Sequence, residues 1–373
     1  MNLAKPFLLL TTILLISSCN SIPKKTEATV SLKNAYQENF YIGTALDTSQ
    51  IKEKDVAVSS LIAKEFNSIT AENCMKSMFI HPEKDKFDFK MADKYVAFGE
   101  KYNMFIHGHT LIWHSQLAPW LTQIKDSTSM SNAMTNHITT IVGKYKGRIN
   151  SWDVVNEALN EDGTLRKTVF LDTYGKEFLT LAFKLAAKAD PKTDLYYNDY
   201  NLCNAKKRNG AVELVKSLQK NGAKIDGVGE QGHWNLTSPS LEEIEQTILD
   251  FSALGVKVAF TELDITVLPN PWDLVGAEVS QNFEGSAKMN PYPKGLPDSI
   301  QTQLAERYEA IFKLFLKHQD KISRVTFWGV NDGQSWLNGW PIKGRTNYPL
   351  LFDQAFKPKK AYYSVLGVKE AKK

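Results

Sequence analysis

The sequence predicts a closed (β/α)8 barrel, a TIM barrel, formed by most of its 373 residues. Three observations carry the expectation. Eight short β-prone segments recur along the chain, amphipathic helical segments lie between them, and seven of the eight segments end in residues with reactive or hydrogen-bonding side chains. Strand-to-helix alternation with chemistry gathered at one kind of boundary suits a barrel better than an open sheet, because barrels place their active groups at the C-terminal ends of the strands.

The first 34 residues stand apart from that pattern. Lys5 precedes the apolar run Phe7–Ile16, which is too short to span a bilayer as a helix. Ile16-Ser-Ser-Cys19 then resembles a bacterial lipobox. Residues 1–18 therefore read as a lipoprotein signal peptide, with Cys19 as the lipidated first residue of the mature chain. The alternative is an ordinary cleaved signal with an incidental cysteine, giving a secreted protein. Residues 19–34 carry Ser, Lys, Thr, Glu and Pro without periodicity and read as a flexible tether. The expected location is the bacterial cell envelope, at the outer membrane or cell surface, with the membrane touched only through the anchor.

The catalytic domain is expected to span 35–373. Candidate strands begin near Tyr41, Phe66, Met104, Ile149, Leu195, Ile225, Val256 and Ile322. Phe170 to Ala189 has a helical apolar period and stops before Pro191. Leu241 to Leu254 follows Ser238-Pro-Ser240, with Glu242 and Glu243 in a first turn where the helix dipole favours them. Gly255 is its C-terminal cap candidate. Leu304 to Lys317 repeats the pattern. The stretch from Leu268 to about Pro297 is rich in Gly and Pro and has no clear period, so it reads as a long loop bordering the active site.

Composition narrows the function. The net charge of +4 is small and no dense basic block occurs, so no nucleic-acid partner is expected. Eight Trp and fourteen Tyr serve equally as core residues or as platforms for sugar rings. Cys74 and Cys203 read as two buried thiols. No C-x-x-C and no His cluster at ligand spacing is present, so neither metal nor cofactor is expected. No other apolar run approaches 18 residues, so the body should be soluble.

The organising stretch is Ile149-Asn-Ser-Trp-Asp-Val-Val-Asn-Glu157, an apolar strand ending in Asn156 and Glu157. Its counterpart is Val256-Lys-Val-Ala-Phe-Thr-Glu262-Leu-Asp264. Two carboxylates at the ends of two buried strands should face each other across a cleft. Among the other strand ends are Glu72, Asn73 and Lys76; His109, Trp113 and Gln116; Gln231 and His233; Trp328 and Trp336. Any one of these alone would more simply be surface, scaffold or core. Their concentration at one end suits cleavage of a glycosidic bond, where one carboxyl donates a proton and the other attacks the anomeric carbon or activates water. No phosphate loop is present and no G-x-S-x-G elbow supports a serine nucleophile.

Six segments carry a resemblance to glycoside hydrolase family 10, the endo-β-1,4-xylanases: Thr70-Ala-Glu-Asn-Cys-Met-Lys76, Gly108-His-Thr-Leu-Ile-Trp-His-Ser-Gln116, Trp152-Asp-Val-Val-Asn-Glu157, Asn198-Asp-Tyr-Asn201, Thr261-Glu-Leu-Asp264 and Phe327-Trp-Gly-Val330. The resemblance covers nearly the whole chain after Tyr36. It implies hydrolysis of xylan with retained configuration, Glu157 as general acid/base and Glu262 as nucleophile. It further implies that Asn156 contacts the sugar 2-OH, that His233 holds Glu262 with Asp264 behind it, and that Gln231 orients Glu157. Glu72, Asn73, Lys76, His109, Trp113 and Gln116 would line the glycone side, Tyr200 would contact substrate, and Trp328 and Trp336 would wall the sugar. A monomer acting on xylan or xylo-oligosaccharide is expected. Ser77, where the family usually has Trp, and Gly232, in place of its usual Ser, depart from the pattern, as does Asn331-Asp-Gly-Gln-Ser-Trp336. They bear on affinity for individual sugars, not on the reaction. A β-1,4-glucanase on the same barrel would differ in admitting a C5 hydroxymethyl group. A non-catalytic glycan-binding lipoprotein would lack Glu157 or Glu262.

Overall fold

The computed structural model describes Met1 and residues 31–370. The signal-peptide segment, Cys19 and most of the tether lie outside the described residues. Ten strands form one parallel sheet: β1 (Tyr41–Leu46), β2 (Ser68–Ala71), β3 (Phe105–Gly108), β4 (Ile112–Trp113), β5 (Ser151–Asn156), β6 (Asp194–Asp199), β7 (Gly227–Glu230), β8 (His233–Asn235), β9 (Lys257–Thr266) and β10 (Ile322–Phe327). Eight of them run in the order β1-β2-β3-β5-β6-β7-β9-β10, and β10 pairs with β1, closing the barrel. The fold is the expected (β/α)8 barrel. The two additions are short: β4 pairs with β5 and β8 with β9 beyond the barrel proper. Pairing with β8 carries β9 on to Thr266, so Glu262 lies within its strand rather than at the end.

The strands are apolar because both faces are covered, one by the barrel interior and one by helices. Val154, Val155, Val258, Phe260 and Val325 are almost fully buried. The lower interior is filled by Arg324, whose guanidinium lies over the Phe105 and Tyr196 rings at 5.8 and 5.6 Å. This leaves the upper layer for polar side chains.

Four expectations are corrected. The helix expected over 170–189 is two helices, Val169–Tyr174 and Phe178–Ala189, separated where Gly175 takes φ +77°. The helix expected over 304–317 starts earlier, at Asp298, and runs to Lys317, between β9 and β10; the last helix, Lys360–Glu370, follows β10. The tether does not reach residue 34: Leu32–Tyr36 is helical, Leu32 and Tyr36 are fully buried, and the fold begins at Ser31. The helix expected over 241–254 starts at Leu241 on a Ser240/Glu243 capping box, but ends at Ser252 with Ala253, not Gly255, at its C-terminal cap. Cys74 and Cys203 are free and buried.

Glu65 joins the two ends of the domain at the base of the barrel. Its Oε2 accepts from Leu32 N at 3.0 Å and from Tyr362 Oη at 3.0 Å. Tyr36 Oη donates to Val365 O at 2.6 Å in the last helix.

Candidate active site

β5 ends in Asn156, and Glu157 follows with φ +56°. A left-handed backbone is costly for a residue with a Cβ and persists where surroundings enforce it. Here Glu157 N donates to Asn198 O at 2.8 Å, which turns the side chain from the strand into the mouth. Trp113 Nε1 donates to Glu157 Oε2 at 2.8 Å, and Gln231 Nε2 donates to Oε1 at 2.9 Å. Burial pushes the Glu157 carboxyl above the usual carboxylate range and the charge of Asp199 adds to this; His114, Gln231 and Trp113 act in the opposite direction.

Glu262 has different partners. Asn198 Nδ2 donates to its Oε1 at 3.0 Å, and His233 Nε2 stands 3.3 Å from Oε2. The other imidazole nitrogen is 3.0 Å from Asp264 Oδ1, and Trp336 Nε1 donates to Asp264 Oδ2 at 2.8 Å. Burial alone would lower the His233 pKa, but Asp264 and then Glu262 outweigh it and raise it to about 10. The ring is therefore an imidazolium at neutral pH. A buried cation against one carboxylate, and neutral amide and indole donors against the other, set the two groups up for different roles.

Two carboxamides connect the pair. Asn156 Nδ2 reaches Glu157 Oε1 at 3.2 Å, and Asn156 Oδ1 accepts from Asn198 Nδ2 at 2.9 Å. The same Asn198 nitrogen serves Glu262, and Thr261 Oγ1 fixes the Asn198 carbonyl oxygen at 2.7 Å. Beneath this layer Asp153 is buried between His107 Nε2 at 3.0 Å and His109 Nδ1 at 2.9 Å.

The carboxylates open on a cleft of about 570 Å³. Glu72, Asn73, Lys76, His109, Trp113 and Gln116 line it, as do Asn156, Gln231, His233, Trp328 and Trp336. Lys76 Nζ donates to Asn73 Oδ1 at 3.0 Å and Gln116 Oε1 at 2.8 Å, and lies over the Trp113 ring at 5.1 Å. Burial lowers the Lys76 pKa while Glu262, Glu72 and Glu157 oppose it; burial raises that of Glu72. Asp264 lies behind His233. Gly232, with φ +83°, makes the turn between Gln231 and His233, a conformation a serine would strain.

Tyr200 is the exception. It is 1% exposed and does not line the cleft. Its hydroxyl accepts from Arg166 Nη2 at 2.6 Å, and Gly276 packs so closely that a Cβ there would lie 2.3 Å from Tyr200 Cε2. The expected substrate contact is replaced by a contact with the chain's own long loop. That loop supplies Ala277, Val279, Ser280, Gln281 and Asn282 to the cleft wall, as its position after β9 suggested. Residues not singled out beforehand are Asn198, Asp153 and Trp340. Asn198 had a legible signal, since its neighbours in the motif place it level with Asn156, its register partner.

A second cavity of similar size, about 580 Å³, lies between the helices Phe178–Ala189 and Ala205–Lys220, lined by Leu179, Leu214 and Leu218. It holds neither carboxylate of the pair, so the chemistry belongs to the mouth.

Known proteins resemble the chain throughout this architecture. It is 44% identical over 345 residues to endo-1,4-beta-xylanase A of Xylanibacter ruminicola, an alignment covering 91% of this chain and 94% of the relative. A GH10 endoxylanase retrieved from a sugarcane soil metagenome superposes with a TM-score of 0.88 at 46% identity, covering 91% of this chain and all of the other. A solved mutant protein in complex with xylotriose matches with a TM-score of 0.81 at 33% identity, covering 91% and 99% of the two chains. The family model described as glycosyl hydrolase family 10 matches residues 31–368, and with the barrel and its paired carboxylates in place, the chain belongs to that family.

Proposed function

We infer that this chain hydrolyses internal β-1,4-xylosidic bonds of xylan with retention of anomeric configuration. The observation that carries the reading is the unequal environment of the two carboxyls: Glu157, raised by burial, is suited to hold a proton, and Glu262 faces the His233 imidazolium. The names of the relatives, endo-1,4-beta-xylanases, supply the substrate.

In the first step Glu262 attacks C1 of the sugar. The C1–O bond to the leaving sugar breaks and Glu157 gives its proton to the departing oxygen. Loss of the Glu262 charge in the ester then lowers the Glu157 pKa. In the second step Glu157 takes a proton from water, the oxygen attacks C1, and Glu262 leaves as a carboxylate. Asn156 would donate to the 2-OH, a bond that strengthens in the transition state. Lys76, Asn73, Gln116 and Glu72 would hold the glycone, with Trp328 and Trp336 as walls. Before His233 can serve another group, it is committed to Glu262 and Asp264, which makes it a positioning residue.

The test is release of reducing ends from arabinoxylan and carboxymethyl-cellulose by wild type and Glu262→Ala. Release from arabinoxylan by wild type alone supports the reading. Release chiefly from the cellulose derivative overturns the substrate, and turnover by folded Glu262→Ala overturns the nucleophile. Lipidation at Cys19, with the barrel held at the cell envelope, belongs to the same proposal. The lipobox-like Ile16–Cys19 supports it, and an unchanged membrane fraction for Cys19→Ala would contradict it.

A further inference from the structure

The long loop does more than border the cleft. It leaves β9, the seventh barrel strand, and at Glu278 it meets side chains from the third and fourth strand ends. Arg166 Nη1 donates to Glu278 Oε2 at 2.7 Å, and His114 Nε2 stands 3.4 Å from the same oxygen. In a barrel of eight strands the third and seventh are diametrically opposed, so a contact between their loops crosses the mouth. The chain then turns back to the eighth-strand loop, where Phe283 N donates to Pro341 O at 2.9 Å.

Its own side chains brace the crossing. Gln281 Nε2 donates to Val275 O at 2.7 Å, and Gln281 Oε1 accepts from Val275 N at 2.8 Å. Glu278 Oε1 accepts from Ser280 N at 3.2 Å. The span separates the main cleft from a smaller cavity of about 210 Å³, lined by Asn201, Asn235, Asn270 and Leu274. The side it covers is that of the fourth and fifth strand ends, where Arg166 and Tyr200 lie, two and three strands round the barrel from the second strand end that carries Glu72, Asn73 and Lys76. With the glycone held at Glu72, Asn73 and Lys76, as the proposed function has it, a leaving group protonated by Glu157 would depart towards this covered side.

We propose that Leu268–Phe283 is a strap across the leaving-group side of the cleft, latched by Glu278 to Arg166 and His114, and that the latch sets the preference between short substrates and polymer. The proposal rests on the retaining-xylanase reading. A short substrate with a compact leaving group fits the strapped cleft as it stands. A polymer must extend past the fourth and fifth strand ends, and the strap must lift to admit it. Lifting breaks the Glu278 contacts and withdraws Gly276 from the edge of the Tyr200 ring. The latch is ionised at neutral pH, because the His114 hydrogen bond first, then Ser280 N and Arg166, hold the Glu278 carboxyl at about 2 against the effect of burial.

Two variants test the strap by independent routes. Glu278→Gln removes the latch charge at constant size. Gly276→Ala places a methyl 2.3 Å from Tyr200 Cε2 at a residue with φ +52°, and so forces the span upward. kcat/KM is measured for each full chain on 4-nitrophenyl β-xylobioside and on soluble arabinoxylan. In both variants the polymer-to-aryl ratio should rise by roughly two- to tenfold, the shift in an opening equilibrium expected from losing one partly buried ion pair. The aryl substrate alone should change by less than about twofold, because its leaving group needs no opening. An unchanged ratio, or a parallel fall on both substrates, overturns the strap while leaving the hydrolytic reading intact. Wild type inactive on both substrates overturns both.

Discussion

Gly229 lies directly against the Asn198 carboxamide: a Cβ added to the glycine would stand 2.2 Å from Asn198 Oδ1 and 2.8 Å from Thr261 Cγ2. The absent side chain makes room for the one carboxamide that serves both halves of the site. Gly229→Ala should push Asn198 off Glu262 and Asn156 together. The loss of a hydrogen bond to a charged group predicts a fall in kcat of roughly 10- to 100-fold with KM little changed. Steady-state kinetics on an aryl xylobioside, with circular dichroism to verify folding, makes the check. An unchanged kcat would show that Asn198 does not matter to the reaction.

The proton on Glu157 is held between opposing influences, and two substitutions should move it in opposite directions. Trp113→Phe removes a donor that favours the carboxylate, so the basic limb of kcat/KM should move to higher pH. Asp199→Asn removes a negative charge that favours the protonated acid, so the same limb should move to lower pH. Activity needs protonated Glu157 in free enzyme and is lost as pH rises through its raised pKa. Full pH profiles of both variants decide it; shifts of the same sign would mean that another group controls the limb.

Asp332 and Lys359 form a buried ion pair at 2.7 Å, with Lys359 Nζ also donating to Tyr348 O at 2.8 Å and Leu350 O at 2.7 Å. Asp332→Ala leaves the ammonium without its counter-charge and should destabilise the domain by about 3–5 kcal/mol. Burial, opposed by Lys359, raises Asp332 to about 6, so desolvation outweighs the attraction within the pair. The sign follows: stability from this group is complete below its unfolded pKa of 3.8 and declines as pH rises through about 6. Adding Lys359→Met to Asp332→Ala should therefore recover part of the loss. Denaturant midpoints of the single and double variants measure it, and additive losses would refute the desolvation account.

The barrel was legible because strand and helix periods alternate and both faces of each strand are apolar. The pair Glu157 and Glu262 was legible for a related reason: a carboxylate after Val154-Val155 or Phe260 breaks an otherwise buried run. The split at Gly175 was not, because one glycine in an amphipathic run is compatible with a continuous helix until tertiary packing ends it. Strands β4 and β8 are too short for any period. Tyr200 misled because its motif gives the strand end but not what lies over it. That depends on Gly276 and on the contact of Glu278 with Arg166, 112 residues away, which no local pattern encodes.

The Glu65 junction fastens the first described helix and the last helix to the base of the barrel. Leu32 is fastened to the underside, and the cleft opens at the opposite pole. Ser31 and the last helix thus sit at the floor of the barrel, away from Glu157 and Glu262. Tyr362 and Val365 share that floor with Leu32 and Tyr36, so one small set of contacts closes both ends of the domain.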